Sequence, residues 1–312
     1  MRPAIWFTIA VIGMLFVASL ASVQAEERRR VTFTLWYRLI PGRGTEALTW
    51  TNLVPTSIEG RQVIHDLEYS REPTRLLRRN GNTYAVYEFE DLSRPIDIQI
   101  RITADLIRRD YSSLRTAKRE ERLEVESIHE RTWLRAENHL EVRADEIREA
   151  AESIEGETRE ERVRNTAEFV SDRLRYSGYQ PDPLGALRAL QFGEGDCSEF
   201  SDLFVTLCRA QGIPARTSSG LLIVPSQPDD TTRHRWVEVY FDELGWVPVD
   251  PLRHSRRGRT LWQLPNEYLY LSNLRNDPVL DNFEAALFRY RGDPIEFETG
   301  MEIHSDRRVE VP

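Results

Sequence analysis

Cys197 is the residue of this sequence whose surroundings best suit nucleophilic chemistry. It follows the run Gly193-Glu-Gly-Asp196 and opens a segment whose apolar residues recur at intervals of three and four, up to Gly212 and Pro214. This spacing predicts a helix that begins at the cysteine. Backbone amides at a helix N-terminus and the helix dipole favour a thiolate over a thiol. Cys197 is therefore the candidate nucleophile.

The second cysteine, Cys208, falls within the same predicted helix. A helix rises by 1.5 Å per residue, so the α-carbons of Cys197 and Cys208 would lie roughly 16 Å apart. A disulfide requires a separation below about 7 Å. We therefore expect no disulfide between them, and we expect Cys208, in the middle of the apolar stripe, to be a small buried hydrophobic residue.

A histidine and an aspartate lie at the ends of the next two predicted strands. His234 begins an alternating run that reaches Phe241, and Asp250 ends the run that starts at Trp246. A turn over residues 242–245 would join the two runs into a hairpin. The imidazole could accept the proton of the thiol and return it to a leaving group, and an acid beside the ring would fix its tautomer. The ordered set of Cys197, His234 and Asp250 is typical of a catalytic triad.

The sequence alone does not determine the register of this hairpin. A simple four-residue loop would place Asp250 opposite Val237 rather than opposite His234, so a bulge near Pro248 or a strong twist would be needed to bring the acid to the ring. Glu238 points to the same face as His234 but lies about 13 Å further along the strand. Glu238 is the weaker candidate for orienting the imidazole.

Two regions of different pattern surround these residues. Residues 31–110 contain alternating apolar runs separated by turn signals, which predicts a β-sandwich. Helical periodicity from 144 to 175, the cysteine helix and then strands after 215 predict an α+β domain. We assign 26–111 to the β-sandwich, 112–135 to a charged linker and 136–312 to the catalytic domain. Strand-like pieces at 268–271 and 295–299 have no assigned partners.

The first 25 residues resemble a targeting segment. Arg2 precedes an uncharged apolar stretch from Ala4 to Leu20, and Val23 and Ala25 fit the small-residue positions of a signal-peptidase site. Cleavage would make the protein periplasmic or secreted. The alternative is an uncleaved anchor, because the apolar stretch is near the lower limit for a membrane span.

Composition excludes some partners. The chain has 51 acidic and 42 basic residues and a formal charge of −9, which argues against a globally basic nucleic-acid binder. The histidines outside the predicted triad form no ligand pattern with the cysteines, so we expect no metal and no cofactor. We expect a peptide or protein substrate, no nucleic acid, and no membrane contact once the signal is cleaved. The oligomeric state stays open.

Three segments together resemble the bacterial transglutaminase-like superfamily. They run from Gly193 to Arg216, from His234 to Tyr240 and from Gly245 to Pro251. The resemblance implies a papain-like core in which Cys197 is the nucleophile, His234 the base and acid, and Asp250 the residue that orients the imidazole. It also implies a hairpin register that brings Asp250 to His234. The β-rich half is similar to the β-domain that often precedes this core.

The resemblance implies a thioester acyl-enzyme but leaves the acyl acceptor open. Water as acceptor would make the protein a cysteine peptidase or amidase, which is the reaction we favour. An amine as acceptor would make it a crosslinking protein-glutamine transglutaminase. A non-catalytic binding or assembly module of the cell envelope is the third interpretation. The oxyanion hole would use the amide of Cys197 and a second donor, for which Tyr176 and Gln180 are candidates.

Overall fold

The structure, a computed structural model, describes residues 27–90, 92–108, 110–111, 132–224, 233–242, 244–257 and 261–309. The predicted signal peptide and all but the last four residues of the charged linker lie outside these ranges. Within these ranges no helix has the length and apolar character needed to cross a membrane.

The N-terminal part is an antiparallel β-sandwich, as the alternating pattern predicts. One sheet contains β1 (Glu27–Pro41), β3 (Gln62–Tyr69) and β6 (Ile96–Arg108), and the other contains β2 (Ala47–Val54), β4 (Arg75–Arg79) and β5 (Asn82–Phe89). Alternate residues of these strands face inward and share one hydrophobic core. Its largest buried side chains include Trp50, Tyr87 and Phe33.

The last two strands of the chain also belong to this sandwich. Strand β13 (Ala286–Arg291) pairs with β2, and β14 (Ile295–Val309) pairs with β1 along its whole length. The predicted domain boundary at residue 136 assigns residues 286–309 to the catalytic domain, whereas in the structure they belong to the sandwich. The alternating pattern identifies a strand but not its partner, and here the partners lie more than 200 residues away along the chain.

The middle of the chain forms an α+β unit, which confirms the predicted fold class. Its sheet has the order β11 (Gly245–Val249), β10 (Arg233–Phe241), β9 (Ala215–Leu222) and β12 (Tyr268–Ser272). The helices that the structure describes are α1 (Asp145–Glu152), α2 (Arg159–Arg173), α3 (Ala186–Phe192), α4 (Cys197–Ala210) and α5 (Pro251–Arg257). Strands β7 (Arg175–Tyr176) and β8 (Glu194–Gly195) form a short parallel pair beside α4.

Helix α4 is the central element of this unit. Its apolar stripe is fully buried, with Phe200, Leu203, Phe204, Leu207 and Cys208 all at 0% exposure. The helix packs against the four other helices and against β9 and β10. This burial fixes the helix axis, so the position of its N-terminal residue, Cys197, is set relative to the sheet.

Candidate active site

The N-terminus of α4 is closed by a reciprocal cap. The Asp196 carboxylate accepts from the Ser198 amide at 2.6 Å, and the Glu199 carboxylate accepts from the Asp196 amide at 2.9 Å. Gly195 is required here, because a Cβ would lie 2.2 Å from the Cβ of Glu199. Burial raises the pKa of Glu199 to about 7. The cap presents Cys197, which is partly exposed, at the first turn of the helix.

Cys208 occupies the position that the apolar stripe predicts for it. It is free and fully buried, and burial raises the pKa of its thiol far above the ordinary value. The two cysteines of the chain therefore differ in accessibility, which makes Cys208 an internal control for reactivity at Cys197.

The same two carboxylates tether the segment that contains both oxyanion-hole candidates. The amide of Gln180 donates to Asp196 at 2.9 Å, and the amide of Leu184 donates to Glu199 at 2.9 Å. Tyr176 pairs directly with Gly195, two residues before the cysteine. Tyr176 is 44% exposed, and the Arg256 guanidinium lies 5.0 Å from its ring centroid. The structure thus brings both Tyr176 and Gln180 to the N-terminus of α4 and does not separate them as candidates.

The hairpin that carries the histidine has a three-residue loop rather than a four-residue one. Phe241 pairs with Gly245 and Val237 pairs with Val249, with no register shift between them. A one-residue change of register moves a side chain to the other face of a sheet. Asp250 therefore follows β11 on the same face as His234. The bulge near Pro248 that a four-residue loop would require does not occur, because the pairing of β11 with β10 is continuous.

His234 and Asp250 form a buried pair. His234 Nε2 lies 2.7 Å from Asp250 Oδ2, and the two side chains are 9% and 2% exposed. The side chain of Cys197 also interacts with the imidazole and favours its charged form. Burial alone would lower the pKa of His234, but Asp250 and Cys197 outweigh it and raise that pKa to about 10. Because Nε2 is engaged by Asp250, Nδ1 is the nitrogen left to exchange a proton with the sulfur.

The Asp250 carboxylate is held from three sides. Its Oδ1 accepts from the Arg253 amide at 2.9 Å, which caps α5, and its Oδ2 accepts from the Tyr268 hydroxyl at 2.7 Å as well as facing His234. Although burial opposes its ionisation, His234 and these donors hold the pKa of Asp250 below its ordinary value. The sequence identified the strand around Tyr268 but gave no sign that its hydroxyl reaches the aspartate.

Glu238, the weaker orienting candidate, has other partners. Its carboxylate accepts from Arg216 at 2.6 and 2.8 Å and from Arg61 at 3.2 Å, and these cations outweigh burial and lower its pKa.

Among the described residues no group of three or more His, Cys, Asp or Glu side chains is placed to hold a metal ion.

A comparison with protein families identifies the unit that contains these residues. Residues 148–251 match the model of the transglutaminase-like superfamily, and this range includes Cys197, His234 and Asp250. Residues 148–251 form a transglutaminase-like domain.

A solved structure extends the likeness in fold beyond this domain. The chain is similar to a crystal structure from Cytophaga hutchinsonii, described as a candidate cysteine protease, with a TM-score of 0.60 and 14% identity, over 90% of this chain and 98% of that one. At this identity the likeness shows a shared fold. The periplasmic domain of TgpA from Pseudomonas aeruginosa aligns over 73% of this chain and 90% of its own, with a TM-score of 0.35 and 18% identity.

One curated relative, the uncharacterized protein YebA of Bacillus subtilis strain 168, is 36% identical over 70 residues. The match covers 19% of this chain and 10% of YebA, so the chain spans about a tenth of that relative's length.

Proposed function

We propose that this protein is a thiol enzyme that cleaves amide bonds through a thioester at Cys197, acting as a cysteine peptidase or amidase. The observation that carries the proposal is the buried His234–Asp250 hydrogen bond beside Cys197, whose side chain favours the charged imidazole. These three residues lie where the N-terminus of α4 meets the sheet. The fold shared with the C. hutchinsonii protein agrees with this class of reaction.

The geometry supports a two-stage reaction. His234 takes the thiol proton, the sulfur attacks the carbonyl carbon, and the negative oxygen is stabilised by the Cys197 amide and by Tyr176 or Gln180. His234 then returns the proton to the leaving amine as the carbon–nitrogen bond breaks. In the second stage the imidazole takes a proton from water, the hydroxide attacks the thioester, and the acid leaves as the sulfur is reprotonated. Asp250 stabilises the imidazolium throughout.

The substrate and the compartment are part of the same proposal. Cys197 is partly exposed at the N-terminus of α4, so its sulfur is accessible to an amide bond of a peptide or protein. The pattern of residues 1–25 supports export to the periplasm or beyond, where such substrates occur. Hydrolysis is the proposed outcome, with water as the acyl acceptor.

An activated ester tests the acyl-enzyme. Purified protein is mixed with p-nitrophenyl acetate, and intact-mass and peptide spectra follow the acetyl adduct with and without a primary amine. We expect an adduct at Cys197 that decays to acetate at a rate unchanged by the amine. Faster decay with formation of an amide would show a transferase. No adduct at Cys197 would favour the binding module. The single lysine of the chain, Lys118, keeps self-acylation of amines low.

The pH dependence of amide cleavage should show an alkaline limb near pH 10. Asp250 and Cys197 raise the pKa of His234 to about 10 against the effect of burial, so the imidazolium that protonates the leaving amine persists through neutral pH and is lost above that value. The measurement is kcat/KM for a cleaved peptide p-nitroanilide between pH 6 and 11. Asp250→Asn should move the limb to lower pH. A wild-type limb near the ordinary histidine value of about 6.5 would contradict the assignment.

A further inference from the structure

Two adjacent residues of the β-sandwich reach into the catalytic sheet. Arg61 and Gln62 stand at the start of β3, where the backbone of Gln62 is paired with Ile58 on one side and with Leu106 of β6 on the other. Their side chains are 8% and 0% exposed. They are thus rigidly held by one unit while their polar ends contact the other.

Gln62 completes the open edge of β12. Its carboxamide oxygen accepts from the Tyr270 amide at 2.7 Å, and its nitrogen donates to the Tyr270 carbonyl at 3.0 Å and to the Thr56 carbonyl at 2.7 Å. β12 is the edge strand of its sheet, so this side chain takes the place of a neighbouring strand. Gln62 therefore bonds both backbone groups of Tyr270 and holds β12 against the sandwich together with the Leu269 side chain, which is buried in the sandwich core.

β12 carries the tyrosine that holds the catalytic aspartate. Tyr268 precedes Tyr270 by two residues and lies on the same face of the sheet. Its ring packs edge-on against Trp236, with centroids 5.1 Å apart, and its hydroxyl donates to Asp250. Tyr270 packs against the same Trp236 at 4.7 Å. Gly220 of β9 allows the approach, because a Cβ there would lie 1.9 Å from the Leu269 carbonyl oxygen.

Arg61 contacts the β10–β11 hairpin nearer its loop than the His234–Asp250 pair. It donates to Glu238 of β10, to the carbonyl of Trp246 in β11 and to the Tyr111 hydroxyl. The β10–β11 hairpin carries His234 and leads into Asp250. The two neighbouring side chains thus contact both structural elements that lead to the Asp250 carboxylate, β12 and the β10–β11 hairpin.

We infer that Gln62 is a positioning residue for the Cys197–His234–Asp250 series, acting through β12 and the Tyr268 hydroxyl. With Oδ1 bound by the Arg253 amide and Oδ2 by Tyr268, the Asp250 carboxylate cannot rotate away from His234 Nε2. The β-sandwich then supports the active site through β12. The catalytic meaning of this inference rests on the proposed function, but its test uses only the reactivity of Cys197.

The test is the pH profile of Cys197 alkylation by iodoacetamide in the full chain, comparing Gln62→Ala with Tyr268→Phe. Each variant removes a contact that holds Asp250, so the imidazolium is stabilised less. We expect the pH midpoint of Cys197 alkylation to move upward by about one unit, which lowers the rate about tenfold on the acid side. In the double variant the shift should stay close to that of Tyr268→Phe alone, because both changes act through the same hydroxyl.

Asn82→Ala is the matched control. Asn82 is a buried sandwich amide that donates to the Ser272 hydroxyl at 2.8 Å, at the far end of the same strand. Asn82→Ala should lower the melting temperature and leave the pH midpoint of Cys197 alkylation unchanged. Gln62→Met, which keeps the side-chain length, replaces Gln62→Ala if that variant does not fold.

Three results would overturn the inference: an unchanged midpoint in a folded Gln62 variant, an equal shift in Asn82→Ala, or additive shifts in the double variant. A shift as expected together with no acyl adduct from p-nitrophenyl acetate would retain the positioning role and reject the proposed function instead.

Discussion

Replacing Cys197 with alanine is expected to abolish turnover of acyl substrates, and replacing His234 with alanine is expected to lower kcat/KM for amide cleavage by about 10³- to 10⁴-fold. The sulfur is the only atom of the site placed to form the thioester. In the proposed reaction the imidazole both removes its proton and protonates the leaving amine. The two losses should not add in the double variant, because the residues act as one unit.

The matched control for these variants is Cys208→Ala. This thiol lies 0% exposed in the stripe of α4, so its removal should leave kcat/KM unchanged and cost only some stability. The measurement is kcat/KM with a cleaved peptide p-nitroanilide, with circular dichroism to confirm folding. A Cys197→Ala protein that keeps wild-type turnover would exclude a thioester at this residue.

Replacing Asp202 with alanine is expected to lower the free energy of unfolding by about 3–5 kcal/mol. Asp202 lies on α4 at 0% exposure and accepts from Arg275 Nε at 2.8 Å and Nη2 at 2.9 Å. The Arg275 side chain is 3% exposed, so the substitution leaves a buried cation without this partner. Urea denaturation of the purified variants measures the loss.

Two comparisons separate this effect from ordinary loss of a side chain. The double variant Asp202→Leu with Arg275→Met removes both charges and should recover most of the lost stability. Asp145→Ala removes an ion pair with Arg148 in which both side chains are well exposed, and should cost less than about 1 kcal/mol. A loss at Asp202→Ala no larger than at Asp145→Ala would show that the buried pair does not support the helix.

Arg235 connects the Asp202–Arg275 ion pair to β10, the strand that carries His234. It follows His234, its side chain is 4% exposed and pairs with Glu284, and its carbonyl accepts from the Ser201 hydroxyl at 3.2 Å. Its guanidinium also lies 3.8 Å from Asp202. Helix α4 and strand β10 are therefore joined just beyond Cys197 and His234, which keeps the two reacting groups in register.

The elements that present the candidate triad could be predicted because each has a strong local signal. The three- and four-residue spacing in α4 and the alternation in β10 reflect which face is buried, and burial is what the structure shows at Phe200, Leu203 and Val237.

The contacts that complete the site could not be predicted, because they join parts of the chain distant in sequence. The position of Asp250 depended on a single residue of loop length, and a change of one residue reverses the face. Tyr268 and Gln62 lie 18 and 188 residues from Asp250 in sequence and meet it only through β12. The pairing of β13 and β14 with the N-terminal sheets could not be predicted for the same reason.

Iodoacetamide labelling across pH 5 to 9 tests most directly whether Cys197 and His234 act as a pair, with the extent at Cys197 and at Cys208 read separately by mass spectrometry in the wild type and in His234→Ala. We expect Cys197 to be labelled at lower pH than an ordinary thiol and Cys208 to stay unlabelled in the folded protein. We expect His234→Ala to move the labelling profile of Cys197 to higher pH. Labelling of Cys197 only under alkaline conditions, unchanged in His234→Ala, would show that the thiol and the imidazole do not act together and would contradict the proposed enzyme.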